Sequence, residues 1–84
     1  MSERASAARL EFACRDSGLS VAELWLRYFG LGGGATPAEV RDYVHGDLEP
    51  DPAEYDVVVH AINERYMELE RPERLPYATG ANRG

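Results

Sequence analysis

Eighty-four residues, 44% apolar and 29% charged, make one small folded domain with a modest core and little stability to spare. The net charge of −6 argues against non-specific nucleic-acid binding and against anionic membranes, because a basic surface supplies most of such affinity. A single cysteine, Cys14, excludes an internal disulfide and a multi-cysteine zinc site.

Residues 3–17 (ERASAARLEFACRDS) read as a first helix, with Leu10, Ala13 and Cys14 on one side. Gly18 closes it, and Leu19 folds back toward Cys14 in a Schellman-type contact. On that Ala/Leu face Cys14 reads as a small hydrophobe, since a nucleophile needs a histidine and an orienting acid beside it.

The phrases SVAE (20–23), TPAE (36–39) and DPAE (51–54) share one grammar. Ser20, Thr36 and Asp51 each offer a side-chain oxygen to the third helical N–H. Glu23, Glu39 and Glu54 reach back to the capping residue's own N–H. Pro37 and Pro52 fill the first helical position, where a missing N–H costs nothing. Three helices therefore start at about 20, 36 and 51, and the echo is a start signal rather than a structural repeat.

In the second helix, VAELWLRYFGL (21–31), Val21, Leu24, Trp25 and Tyr28 make one face. Leu26 and Phe29 widen it to roughly 200° of arc, leaving mainly Glu23 and Arg27 for solvent. So small a domain has difficulty burying that many large side chains from one short helix. Trp25, Leu26, Phe29 and Leu31 are the expected exposed edge, on a helix that also carries Trp, Tyr and Arg, the residue types enriched at interface hot spots. The competing reading of the same residues is plain core.

LGGGA (31–35) follows as a flexible joint. No strand precedes these glycines and the protein contains no lysine, so neither the P-loop nor the dinucleotide motif is met. The third helix is short, 36–45, with Val40, Tyr43 and Val44 inward and Gly46 as its cap. The fourth runs from 51 to about 70 and ends before Pro72. It carries Tyr55, Val58, Val59, Ile62, Tyr66 and Leu69 on its apolar face, with Asp56, Asn63, Glu64 and Glu70 away from it. After it comes an extended tail in which Leu75 and Tyr77 are placed to touch the body. The domain is expected over 1–77, with 78–84 disordered. The fold class is all-α, four main helices with short connections and no strand signal.

GLSVAEL (18–24), V-x-x-Y-V-x-G (40–46) and P-x-x-A-x-Y-x-V-V-x-H-A-I (50–62) together resemble the lambda-repressor-like helix-turn-helix family over roughly residues 8–62. The resemblance implies a helix-turn-helix shape, with the third helix in the DNA major groove. Thr36, Arg41 and His45 would then contact DNA, with Arg27 or Arg15 on the phosphate backbone. Two departures stand out. Trp25 occupies a place the family gives to a small residue, and LGGGATP lengthens the turn. The third helix also presents Glu39 and Asp42, with Asp47 beyond its cap, and carboxylates there repel phosphate.

His45, His60 and Cys14 are the zinc-competent side chains, but no ligand spacing unites them, so no metal or other cofactor is expected. Carboxylate neighbours such as Glu49 with Asp51 read as caps and solvation. No hydrophobic run is long enough to span a bilayer and no basic-then-apolar leader is present, which points to the cytoplasm. All nine basic residues are arginine, as in proteins from GC-rich bacteria. The sequence therefore points to a small non-enzymatic regulatory or adaptor protein that works by contact with a protein partner or a second copy. The alternative is a dimeric DNA-binding regulator.

Overall fold

The computed structural model describes residues 3–78, and the side chains from Ala7 onward. It contains four helices, α1 (Glu3–Asp16), α2 (Val21–Gly30), α3 (Pro37–His45) and α4 (Pro52–Glu68), with no strand among the described residues. Contacts are most extensive between alternate helices, α1 against α3 and α2 against α4, and α3 also leans on α2. No helix among the described residues is long and apolar enough to cross a membrane. Of the segment expected to be disordered, 78–84, residues 79–84 lie outside the described residues, and Ala78 is placed, its N–H donating to Asp56 Oδ1.

The three capping phrases start α2, α3 and α4. The N–H groups of Glu23 and Glu39 donate to Ser20 Oγ and Thr36 Oγ1, both at 3.1 Å. The return bonds from Ser20 N and Thr36 N to the glutamates are 2.9 and 2.8 Å. Accepting these bonds holds the Glu23 carboxyl below its ordinary range. At α4 only half of the box forms. Glu54 N–H donates to Asp51 Oδ1 at 2.8 Å, but the Glu54 carboxylate accepts from the Tyr28 hydroxyl instead of turning back to Asp51. A local motif is overridden by a contact between α2 and α4.

Each helix ends the same way. A left-handed residue turns the chain and the next N–H donates back to the carbonyl five residues earlier: Leu19 to Cys14, Gly33 to Tyr28, Asp47 to Asp42 and Arg71 to Tyr66. Glycine supplies the left-handed residue for three of them, and Glu70 (φ 58°) for the fourth. That turn ends α4 at Glu68, two residues short of the expected end, and leaves Leu69 partly exposed rather than in the apolar stripe.

The core holds most of the inward residues the spacing predicts: Leu10, Ala13 and Cys14 from α1, Leu24 and Tyr28 from α2, Val40, Tyr43 and Val44 from α3, and Tyr55, Val58, Val59, Ile62 and Tyr66 from α4. They are joined by Leu19, Ala61 and Leu75, while Val21 is only partly buried. Burial pushes the Cys14 thiol pKa up, as for a small core hydrophobe. Asn63 departs from the sequence expectation, being buried rather than solvent-facing, and Phe12, on the outer side of α1, is 67% exposed.

Asn63 is buried because the tail lies over it. Its Nδ2 donates to the Leu75 carbonyl (3.1 Å) while its Oδ1 accepts from the Leu75 N–H (2.8 Å), so one side chain satisfies both backbone groups of one residue. Leu75 itself is buried, and Tyr77 packs against the core with its hydroxyl 3.0 Å from His60 Nδ1. Residues 71–78 form a strap along α4 rather than a loose extension.

Candidate functional site

Helix α2 carries the largest apolar content of the four and divides it between two sides. Leu24 and Tyr28, at i and i+4, are fully buried, whereas Leu26 and Phe29, at i and i+3, are 62% and 59% exposed. Leu31, at the C-terminal end, is also exposed. Three of the four residues expected at an exposed edge are therefore on the surface.

Trp25 is the exception. It is half-buried at the boundary of the core, and its indole N–H donates to the Ala35 carbonyl at 3.0 Å. Its ring stacks on Phe29 with centroids 5.1 Å apart and planes 22° from parallel. Trp25 thus pins the glycine joint to α2 and supports Phe29 from beneath. An aromatic pair held this way has lost much of its rotamer freedom before any partner arrives, which lowers the entropic cost of docking.

The joint is ordered by the same helix. Gly33 N–H donates to the Tyr28 carbonyl at 3.0 Å, and Ala35 N–H donates to the Tyr28 hydroxyl at 2.7 Å. LGGGA is thus a wrapped turn around one buried tyrosine, not the loose joint its composition suggests. Beyond Leu26 the surface dips into a shallow recess of about 320 Å³ lined by Gly18, Leu19, Glu23, Arg27 and Arg65. Arg27 closes one side of it through a two-pronged ion pair with Glu68, at 2.8 and 2.7 Å, which holds the Glu68 carboxyl below its usual range.

The residues that DNA contact would need are placed differently. Thr36 spends its hydroxyl on capping α3. His45 Nδ1 lies 3.4 Å from the Glu11 carboxylate on α1, and Arg27 is held by Glu68. Arg15, at 80% side-chain exposure, faces Glu11 at 3.5 Å. Arg41 remains 59% exposed, 3.9 Å from Asp42. The three arginines and His45 each have a carboxylate beside them, so little uncompensated positive charge faces outward.

The zinc-competent side chains stand apart. Cys14 is buried with its Sγ 3.4 Å from the Leu19 carbonyl, His45 is beside Glu11, and His60 sits between Tyr77 and Glu64. Among the described residues no group of three or more metal-ligating side chains converges. A broad groove between α1, the 46–50 connection and the strap is walled by Tyr43, Tyr55, Tyr77 and Pro50.

Compared with known protein families, curated proteins and solved structures, the chain matches none.

Proposed function

We propose that the protein is a small non-enzymatic adaptor or regulatory module that docks a protein partner on the outer side of α2, through Leu26, Phe29 and Leu31, with Trp25 as the rigid support beneath. The observation that carries this reading is the stacked, hydrogen-bonded Trp25 under an exposed Phe29. Exposed single hydrophobes are ordinary on a protein surface. An aromatic residue that is exposed and also braced from below, beside a second exposed leucine and a recess, is the arrangement found at interface hot spots. Leu26, Phe29, Gly30 and Leu31 carry no charge, so a partner meets apolar surface at these positions, with Glu23 and Arg27 at the edge of the recess.

The direct test compares the intact protein with Phe29→Arg and Arg41→Ala in capture, self-association and duplex-DNA titration at low salt. On this reading Phe29→Arg abolishes association through α2 while keeping its helical circular dichroism, and Arg41→Ala changes nothing. DNA binding that falls steeply with salt and is lost in Arg41→Ala would replace this reading with the helix-turn-helix alternative. No observation at Thr36, Arg41 or His45 favours that alternative over the α2 face.

A further inference from the structure

The strap formed by residues 71–78 is held by contacts that do not depend on its being joined to α4. Asn63 reads the Leu75 backbone in both directions, and Asp56 Oδ1 accepts from the Ala78 N–H. Arg71 donates to Asp16 Oδ2 at 2.9 Å and lies over the Tyr66 ring, 5.2 Å from its centroid. Leu75 and Tyr77 seat their side chains against the core. Side chains that satisfy backbone groups, one buried leucine and one ion pair are means by which proteins bind extended peptides from other chains.

The junction between α4 and the strap is the one place where the described backbone is strained. Glu70 is the only non-glycine among the described residues with a positive φ, at 58°. Two residues later Pro72 bars α4 from continuing, so the chain must either turn sharply, as here, or leave extended. Met67 and Leu69 flank this junction at 59% and 38% exposure. A short, strained hinge next to exposed apolar side chains is the setting in which identical segments exchange between copies.

We infer that the strap exchanges between two copies of this chain. In the exchanged dimer each α4 holds its partner's residues 71–78 through the same side-chain contacts, and the two junctions meet at Met67 and Leu69. The chain leaves α4 extended, so Glu70 no longer adopts the left-handed turn. This surface is distinct from the α2 face and does not rest on that proposal.

Because closed and exchanged forms share the side-chain contacts of the strap, a strap variant such as Asn63→Ala alters the speed of exchange and not its position. The hinge sets the position. The test is light scattering of the intact protein over a concentration series, after warming to allow opening and then cooling. The expected result is a dimer fraction that rises with concentration. Glu70→Gly, which removes the cost of the left-handed turn in the closed form only, is expected to raise the dimer dissociation constant about tenfold. Phe29→Arg leaves that constant unchanged, which separates this dimer from association through α2. A protein that stays monomeric at every concentration overturns the inference, and so does a dimer indifferent to Glu70→Gly.

Discussion

The ring of Tyr28 lies against the backbone of Gly33, so close that a Cβ at Gly33 would come within 2.2 Å of the tyrosine Cζ. That contact is why a helix end rich in glycine is ordered here: the absent side chain is the space the ring fills. Gly33→Ala is therefore expected to destabilise the domain by about 1–3 kcal/mol, the cost of overpacking a site that cannot move aside. Chemical denaturation checks this. Gly34→Ala serves as the control, because a Cβ there meets nothing within 4 Å.

The hydroxyl of the same tyrosine gives a second, separable prediction. It accepts from Ala35 N–H and donates to Glu54, joining the glycine turn to the start of α4. Tyr28→Phe keeps the ring and leaves both partners without their bond, at a cost of about 1–3 kcal/mol. In this variant Glu54 is free to complete the capping box at Asp51, so the measured loss should fall toward the lower end. A denaturation series on Tyr28→Phe, Glu54→Gln and the double variant measures the coupling.

At Glu70 the opposite sign is expected. A left-handed glutamate gives up conformational energy that glycine does not, partly offset by glycine's larger freedom in the unfolded chain. Glu70→Gly should gain about 0.5–1 kcal/mol, read as a higher thermal midpoint with the fold unchanged. This stability gain is measured on dilute protein, where exchange between copies plays no part.

What was legible in the sequence was local. Ser20, Thr36 and Asp51 announce helix starts because a cap and the N–H it accepts from lie within one turn of each other, a bond that forms at all three. The core stripe of α4 was legible for the same reason, being a periodicity of one element. What escaped involved partners far away in sequence. Glu54 abandons its box for Tyr28, 26 residues earlier, and Asn63 is buried by a leucine twelve residues later. No pattern of α4 alone distinguishes a polar residue that faces water from one that faces a strap. The tail's composition did give a signal, since Leu75 and Tyr77 are apolar residues two apart in an otherwise polar extended segment, the spacing at which an extended chain presents one side. At the α2 face, Leu26, Phe29 and Leu31 were readable from an apolar arc too wide to bury. Trp25 was not, because its indole partner is the Ala35 carbonyl across the glycine turn.

Alkaline stability follows from two buried phenols. Burial, and then hydrogen bonds to Glu54 and Asp16, push Tyr28 and Tyr66 from the ordinary value of 10.0 up to about 12. The folded state therefore keeps protons that the unfolded state loses above pH 10. The stability they confer is complete below pH 10 and disappears as pH rises toward about 12. Tyrosinate absorbance and helical circular dichroism recorded together should change in the same interval, with ionisation of these two residues coinciding with loss of helix. Tyr66→Phe, which cannot ionise, should weaken that pH dependence.

The two sides of α2 predict unequal costs for similar truncations. Leu24 is fully buried, and Leu24→Ala should cost about 2–5 kcal/mol, enough to threaten a domain this small. Phe29 is 59% exposed and loses mainly its stack on Trp25, so Phe29→Ala should cost no more than about 1 kcal/mol. Trp25→Ala belongs between them, since it opens the core boundary and strips the Ala35 carbonyl of its donor. Measured midpoints in the order Leu24, Trp25, Phe29 would mark Phe29 as a side chain the fold does not need, as the docking reading requires. A Phe29→Ala loss as large as that of Leu24→Ala would mean that the outer side of α2 is structural, and the docking face would have to be sought elsewhere.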